Sequence, residues 1–123
     1  LKNIGVQVLV VDDTKKPDTP DSIFPNNWIS FHQNGDIGVY PMFAENRRLE
    51  RREDIFELLE EQGFIINEII DYTSAEEEQV YLEGTGSLLL DRVNGKAYGD
   101  CLKAWAGMEK AVEVKRTLGK EEK

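Results

Sequence analysis

The sequence contains a single cysteine, Cys101, and a single histidine, His32, among its 123 residues. One cysteine excludes an intrachain disulfide and a zinc site built from several thiolates. One histidine leaves little for a transition-metal centre, and the carboxylates lack the spacing of a calcium-binding EF-hand loop. We therefore predict no metal site.

Long apolar segments are lacking as well. No run approaches the roughly 20 residues that a membrane-spanning helix needs, and the first residues lack the pattern of a secretory signal. Positive charge is in deficit, because 15 Lys and Arg face 24 Asp and Glu, for a net charge of −9. An acidic surface repels nucleic-acid backbones. We expect a cytoplasmic protein that binds neither membranes nor nucleic acids.

The length suits one small domain, which we place at residues 1–118, followed by a frayed tail at 119–123. In the first half, an apolar stretch predicts a buried strand, prolines predict a loop, and Asn34-Gly35 predicts a hairpin turn. A helix with an apolar face of Leu49, Ile55, Phe56 and Leu59 follows, and Gly63 ends it. The predicted strands are 4–11, 28–32 and 37–40, and the helix is 46–62.

The second half repeats this order in outline. Its predicted strands are 64–70, 87–93 and 96–99, with a second Asn-Gly pair at Asn94-Gly95 and a helix at 102–118. The two Asn-Gly pairs lie 60 residues apart. This spacing predicts two repeats, at about 4–63 and 64–118. The fold class is then α/β (α+β), with a mixed sheet and helices on one side. Trp28 and Trp105 are expected in the core.

The loop at residues 19–28 is the first of three segments that could carry chemistry. Pro20 and Pro25 stiffen it and present Asp21, Asn26 and Asn27. Asp and Asn side chains often bond their own backbone in turns. The alternative is a preorganised polar rim that recognises the N–H groups of a ligand.

The second segment, residues 46–52, holds four of the six arginines in the first turns of the predicted helix. Positive charge there opposes the helix dipole, although neighbouring acidic residues offset part of that cost. The segment could be a solvated charged face. Alternatively, one arginine clamps a carboxylate with two hydrogen bonds.

The third segment, residues 82–87, places Glu83 beside Gly84 and Gly86. It lacks the lysine and the spacing of a phosphate loop, and Glu83 would repel phosphate. A plain turn is one interpretation. The other is a carboxylate held at the mouth of a sheet, which is what binding a guanidinium requires.

The lone histidine and cysteine are weaker candidates. His32 precedes the first Asn-Gly turn, where we predict an exposed hairpin residue. Cys101 has no visible partner to activate it and is expected to be a quiet thiol. The two could in principle form a nucleophile and a base, but their positions give that pairing no specific support.

Together the three segments resemble the amidinotransferase-like, citrulline- and arginine-processing hydrolases. The motifs are Thr-Pro-Asp-x-x-Phe-Pro-Asn-Asn-Trp at 19–28, Tyr-Pro-Met-x-Ala-x-Asn-Arg-Arg-x-Glu-Arg at 40–51 and Leu-Glu-Gly-Thr-Gly-Ser at 82–87. The match continues to about residue 100. The resemblance implies a pentein fold, five ββαβ units around a pseudo-fivefold axis. Two repeats would then be an incomplete five-bladed propeller.

The resemblance also implies roles for single residues. Asn27 matches a family position that contacts a guanidinium or ureido group. Arg47 matches a position that pairs with the substrate carboxylate. Glu83 matches a position that binds the guanidinium and supports the catalytic histidine. Asp21 belongs to the same predicted substrate-binding rim. In the family a cysteine thiolate attacks the guanidinium carbon, a histidine serves as acid and base, and no cofactor is needed.

The departures from the family pattern decide which function we predict. No histidine follows Glu83 and no cysteine follows Cys101. We therefore favour a truncated, non-catalytic domain that self-associates as a homo-oligomer. The runner-up is a binding module for arginine-like small molecules. In a third hypothesis, the chain is one part of a hydrolase that cleaves guanidine or ureido C–N bonds, and another chain completes the enzyme.

Overall fold

Residues 2–99 are described by the computed structural model of the chain. The predicted helix at 102–118, the cysteine at 101, the tryptophan at 105 and the tail at 119–123 lie outside the described residues.

A three-stranded mixed sheet forms around the first Asn-Gly turn. Strands β1 (Ile29–Phe31) and β2 (Ile37–Val39) pair antiparallel, and β3 (Ile69–Asp71) pairs parallel with β2. The predicted hairpin is thus confirmed. Gly35 has φ +92°, and a Cβ there would lie 2.7 Å from the carbonyl oxygen of Ile65. Only glycine therefore fits this turn.

Two helices connect β2 to β3, as a crossover between parallel strands requires. They are α1 (Glu45–Arg48) and α2 (Asp54–Glu61). The prediction of one continuous helix over 46–62 is wrong. Side chains in the Arg-rich segment bond distant parts of the chain, and these tertiary bonds outweigh continuation of the helix.

The amphipathic face of this region is partly as predicted. Ile55 and Phe56 pack against the core, whereas Leu49 lies in the break and is 53% exposed. Gly63 follows α2 with φ +90° and donates its N–H to the carbonyl of Glu60. The predicted glycine at the helix end is therefore confirmed.

A second, two-stranded sheet follows. The short helix α3 (Gly84–Ser87) leads into β4 (Leu88–Asp91), which pairs antiparallel with β5 (Lys96–Gly99). The mixed α/β class is confirmed. The two-repeat propeller stays a prediction, because the helix of the second predicted repeat is among the residues not described.

The predicted strand at 4–11 is wrong. Lys2–Ile4 forms a short 3-10 helix, and residues 6–14 have no regular structure. Val10 is 70% exposed. A strand needs a neighbour to bond its backbone, and none is paired with this stretch within residues 2–99. The strand predicted at 64–70 is likewise shorter, because β3 begins only at Ile69.

Two clusters of buried side chains stabilise the described part, and Trp28 is in the core as predicted. One comprises Trp28, Ile29, Ile37, Val39 and Met42, with Ile55, Phe56 and Ile66 against it. The other comprises Tyr40, Tyr72, Leu82 and Leu88, with Ile70, Leu90 and Ala97 against it. The second cluster joins the two sheets, because it includes Ile70 of β3 and Leu88, Leu90 and Ala97 of β4 and β5.

Among the helices of residues 2–99, none has the length and apolar character to cross a bilayer. A cytoplasmic location stays a prediction.

Candidate functional site

The loops that precede β1 and β4 meet face to face. Pro25 opens a 3-10 turn, Pro25–Asn27, with its ring at the first position, where a missing N–H costs nothing. The Asn26 amide nitrogen Nδ2 donates to Thr85 Oγ1 at 3.1 Å, and that hydroxyl lies 3.3 Å from the Asn26 carbonyl oxygen, to which it donates. These two bonds fix the two loops relative to each other.

Two glycines allow this close approach. A Cβ at Gly84 would lie 2.5 Å from the Asn26 carbonyl oxygen, and Gly84 has φ +45°. A Cβ at Gly86 would lie 2.8 Å from Nδ2 of Asn27. The Gly-Thr-Gly sequence therefore serves the packing of one loop on the other, and it positions the residue before it, Glu83.

Glu83 and Asn27 form the centre of the candidate site. Asn27 Nδ2 donates to Glu83 Oε2 at 3.3 Å, and the backbone N–H of Phe43 donates to Oε1 at 3.2 Å. Both side chains are partly buried. Within residues 2–99 no cationic side chain lies within ion-pair distance of Glu83, and the Asn27 Oδ1 oxygen accepts no hydrogen bond. The pair presents a negative charge and a neutral acceptor side by side.

Arg47 lies near this pair, but most of its guanidinium is hydrogen-bonded to other parts of the chain. Its Nε donates to Oε1 of the buried Glu50 at 3.0 Å, and Nη2 donates to Oε2 at 3.2 Å. Nη2 also donates to the carbonyl oxygens of Asp21 and Phe24, at 3.3 and 3.4 Å. The guanidinium therefore holds the loop before β1 in place. Its Nη1 nitrogen has no hydrogen-bond partner in the described part of the chain.

The charges around Arg47 raise its pKa. The hydrogen bond with Glu50 contributes most, burial opposes it, and the charges of Glu50, Glu83 and Asp21 add to the rise. The carboxylates of Glu83 and Asp21 thus act on Arg47 through space. Asp21 itself is exposed, and its carboxylate makes no hydrogen bond within residues 2–99.

All four residues predicted to bind substrate are thus drawn into one region. Asn27 contacts Glu83 directly, and Arg47 contacts Asp21 through the backbone. Their roles toward a ligand stay predictions.

A second charged cluster, which the sequence reasoning missed, takes up two other arginines. Arg51 pairs with both carboxylate oxygens of Glu76, and Arg48 Nε lies 3.3 Å from Oε2. The backbone N–H of Met42 donates to Oε1 at 3.0 Å. Burial raises the pKa of Glu76, but the Arg51 and Met42 bonds and the arginine charges outweigh it and leave the pKa below its usual value. The run of three glutamates at 76–78 was the signal available in the sequence.

His32 is not the exposed hairpin residue that the sequence predicted. It is only 7% exposed. Arg92 Nη1 lies 3.1 Å from Nδ1, and Nε2 lies 2.9 Å from Ser30 Oγ, which in turn lies 2.7 Å from the Tyr40 hydroxyl. A guanidinium can only donate, so Nδ1 accepts and Nε2–H donates to Ser30. The prediction failed because Arg92 comes from the second hairpin, 60 residues away.

This network commits both ring nitrogens of His32 to structural bonds. Burial raises the pKa of Tyr40, against the lowering effects of the Ser30 hydrogen bond and the Arg92 charge. Residues 2–99 also contain no group of three or more His, Cys, Asp or Glu side chains placed to hold a metal ion.

Comparison with known proteins bears on this site. A family model described as N,N dimethylarginine dimethylhydrolase, eukaryotic, matches residues 1–121. No curated protein and no solved structure gave a significant match.

Proposed function

The chain belongs to the N,N-dimethylarginine dimethylhydrolase family, and we propose that it binds an arginine-like ligand at Asn27 and Glu83 without turning it over by itself. The family is a guanidine-modifying one of pentein fold, which confirms the relationship inferred from the three motifs.

The main support for the proposal is the carboxylate of Glu83, which has no ion-pair partner within residues 2–99. A partly buried carboxylate is stabilised by a cation, and within residues 2–99 none lies within ion-pair distance. A guanidinium is planar, positively charged and able only to donate, so it matches a carboxylate beside an amide oxygen. The oxygens of Glu83 and Oδ1 of Asn27 would accept its N–H groups. A ureido group offers N–H donors of the same kind without the charge, so it should bind more weakly.

The other end of an amino-acid ligand would meet Arg47 and Asp21. The Nη1 nitrogen of Arg47 is available to donate to a carboxylate, while Glu50 holds the rest of that guanidinium. The exposed Asp21 carboxylate is available for an ammonium group. Agmatine, which lacks the carboxylate, would lose the first contact and keep the guanidinium contacts.

The expected absence of turnover rests on the surroundings of His32. Hydrolysis at a guanidinium carbon needs a thiolate nucleophile and a residue that transfers protons. The one histidine of the sequence has both ring nitrogens engaged in the Ser30–Arg92 network. The one cysteine, at 101, is outside the described residues. A chain that supplies both groups would convert this binding half into a hydrolase of C–N bonds, which is our second candidate.

Self-association is the further part of the proposal. Many large apolar side chains are exposed in the described part, and such surfaces favour contacts with other chains. They include Val10, Phe24, Phe43, Phe64, Ile65, Leu89, Val93 and Tyr98.

A calorimetric titration with arginine, asymmetric dimethylarginine, agmatine and citrulline tests binding, and assays for citrulline and ammonia test turnover. We expect binding of the guanidines, weaker binding of citrulline, and no product. Glu83→Gln removes the charge and should weaken guanidine binding at least about tenfold, since hydrogen bonds to charged groups contribute roughly 1.5–3 kcal/mol.

Glu78→Gln is the matched control, because Glu78 is exposed and lies near Glu83 in the sequence. It should leave the affinity unchanged. Equal affinity of the wild-type and Glu83→Gln proteins would refute the assigned site, and product formation by the purified chain would refute the absence of turnover.

A further inference from the structure

Residues 9–11 and strand β5 each present a backbone edge that pairs with no strand in the described part of the chain. Residues 9–11 have no regular structure, and Leu9, Val10 and Val11 are exposed. Within residues 2–99, strand β5 pairs only with β4. An apolar segment and a free strand edge are the two components of strand addition.

The internal spacing of the sequence relates these two features. The Asn-Gly pairs at 34–35 and 94–95 align the two hairpins at an offset of 60 residues, which places β1 on residues 89–91 of β4. At the same offset β3, Ile69–Asp71, aligns with residues 9–11. Residues 9–11 therefore precede the first hairpin as β3 precedes the second, and both segments are rich in β-branched residues.

The strand that pairs with β3 indicates which kind of partner strand residues 9–11 would need. Strand β3 pairs parallel with β2, with Gly38 opposite Ile70. In the second hairpin β5 takes the place of β2. The second turn is one residue shorter, since Phe31 pairs with Ile37 and Asp91 pairs with Lys96. Gly38 therefore corresponds to Ala97.

We propose that residues 9–11 of one copy of this chain add as a parallel strand in a second copy, at the edge of β5 that is unpaired within residues 2–99. The register inherited from β2 and β3 puts Leu9 opposite Lys96, Val10 opposite Ala97 and Val11 opposite Tyr98. This strand pairing would be the structural form of the self-association proposed above and rests on that proposal, but it is independent of the ligand site.

A second copy is the occupant because every copy carries both complementary edges. Ile70, the counterpart of Val10, packs against the core cluster to which Ala97 also contributes. Val10 should find the same kind of apolar face beside Ala97 of a neighbour. Within residues 2–99 of a single chain these two edges are not paired with each other.

The contact joins two different surfaces, residues 9–11 of one copy and β5 of the next. A row of copies therefore still has an unused segment 9–11 at one end and an unused β5 edge at the other. Such head-to-tail contacts produce rings or open chains rather than closed twofold dimers. The assemblies should therefore grow beyond dimers as the protein concentration rises.

Disulfide trapping tests the register. In a Cys101→Ser background, a Val10→Cys protein is mixed with an Ala97→Cys protein that carries a mass tag, and the mixture is mildly oxidised. Directly opposed strand residues lie within disulfide reach, so we expect the mixed, tagged dimer as the main product. Val6→Cys is the control. It lies four residues away, about 13 Å along an extended strand, and should trap little. Absence of the mixed dimer, or equal trapping by Val6→Cys, would overturn the proposal.

Sedimentation velocity provides a second test. Val10→Pro removes a backbone N–H and should abolish concentration-dependent association, whereas Val6→Pro should leave it in place. Because Val10 is exposed, the Val10→Pro protein should match the wild type in its circular dichroism spectrum and in its affinity for arginine. A wild-type protein that stays monomeric, or a Val10→Pro protein that still associates, would contradict the strand pairing. Neither outcome would bear on ligand binding at Glu83.

Discussion

Two glutamates seven positions apart have opposite surroundings. Glu76 is held by Arg48, Arg51 and a backbone N–H, so its charge is neutralised within the fold. Glu83 receives one amide from Asn27 and one backbone N–H, and has no ion pair within residues 2–99. Residue type alone therefore does not assign a role. The closed cluster around Glu76 stabilises the fold, and we propose that the open cluster of Asn27 and Glu83 binds a cation from outside.

The largest expected effect is on stability, when an arginine is removed from the closed cluster around Glu76. Arg51→Met should lower the free energy of unfolding by about 2–3 kcal/mol, because it leaves a partly buried carboxylate with one cation fewer. Urea unfolding followed by circular dichroism measures the change. Arg52→Met is the control, since Arg52 pairs with the exposed Asp54. That exposed pair should contribute much less, and equal losses in the two variants would contradict the distinction.

The open cluster can be disturbed without touching either of its polar side chains. Gly86→Ala places a methyl group against the Asn27 amide, which should displace the amide and weaken guanidine binding about tenfold, or roughly 1.4 kcal/mol. Calorimetry measures the affinity. In an Asn27→Ala background the methyl group has room, so the same substitution should have little further effect. An equal loss in both backgrounds would show that Gly86 does not act through Asn27.

The closed cluster also predicts how stability depends on pH. The pKa of Glu76 is lowered in the folded state from an ordinary value of 4.5. Its contribution to stability is therefore fully present above that value and is lost as the pH falls through the lower, folded-state pKa. Urea midpoints measured from pH 7 down to acid should show this loss. The Glu76→Gln variant should show a shallower acid dependence, and an unchanged profile would contradict the assignment.

The smallest expected effect is on stability at the open cluster. Glu83→Gln should change the free energy of unfolding by no more than about 0.5 kcal/mol, as for substitutions away from buried ion pairs. Glu76→Gln, which removes the charge that two arginines share, should cost more. If Glu83→Gln proved the more damaging of the two, Glu83 would be a structural residue.

The local features of the fold were predictable because short-range chemistry sets them. Asn-Gly pairs impose tight turns, which located both hairpins, and glycine at position 63 ends a helix. The strand at 4–11 was wrong because an apolar pattern cannot show whether a neighbouring strand is available. The helix at 46–62 was broken by bonds from Arg47 and Arg51 to distant groups, which helical periodicity does not reveal.

The candidate site was predictable only in part. The contact between Asn27 and Glu83 spans 56 residues, and no local rule joins them, so the family resemblance supplied that pairing. The buried state of His32 depends on Arg92 of the other hairpin and was missed for the same reason. The Arg47–Glu50 pair was foreseeable from its helical spacing of three residues.

The side-chain amide signals of Asn27 in a ¹⁵N-correlated NMR spectrum test the central claim most directly, once Asn27→Asp has identified them. Addition of methylguanidine should shift these signals progressively to saturation. The same addition to the Glu83→Gln protein should shift them only at much higher concentration. If the Asn27 signals stay in place while other signals move, the guanidinium binds elsewhere, and the proposed site is wrong.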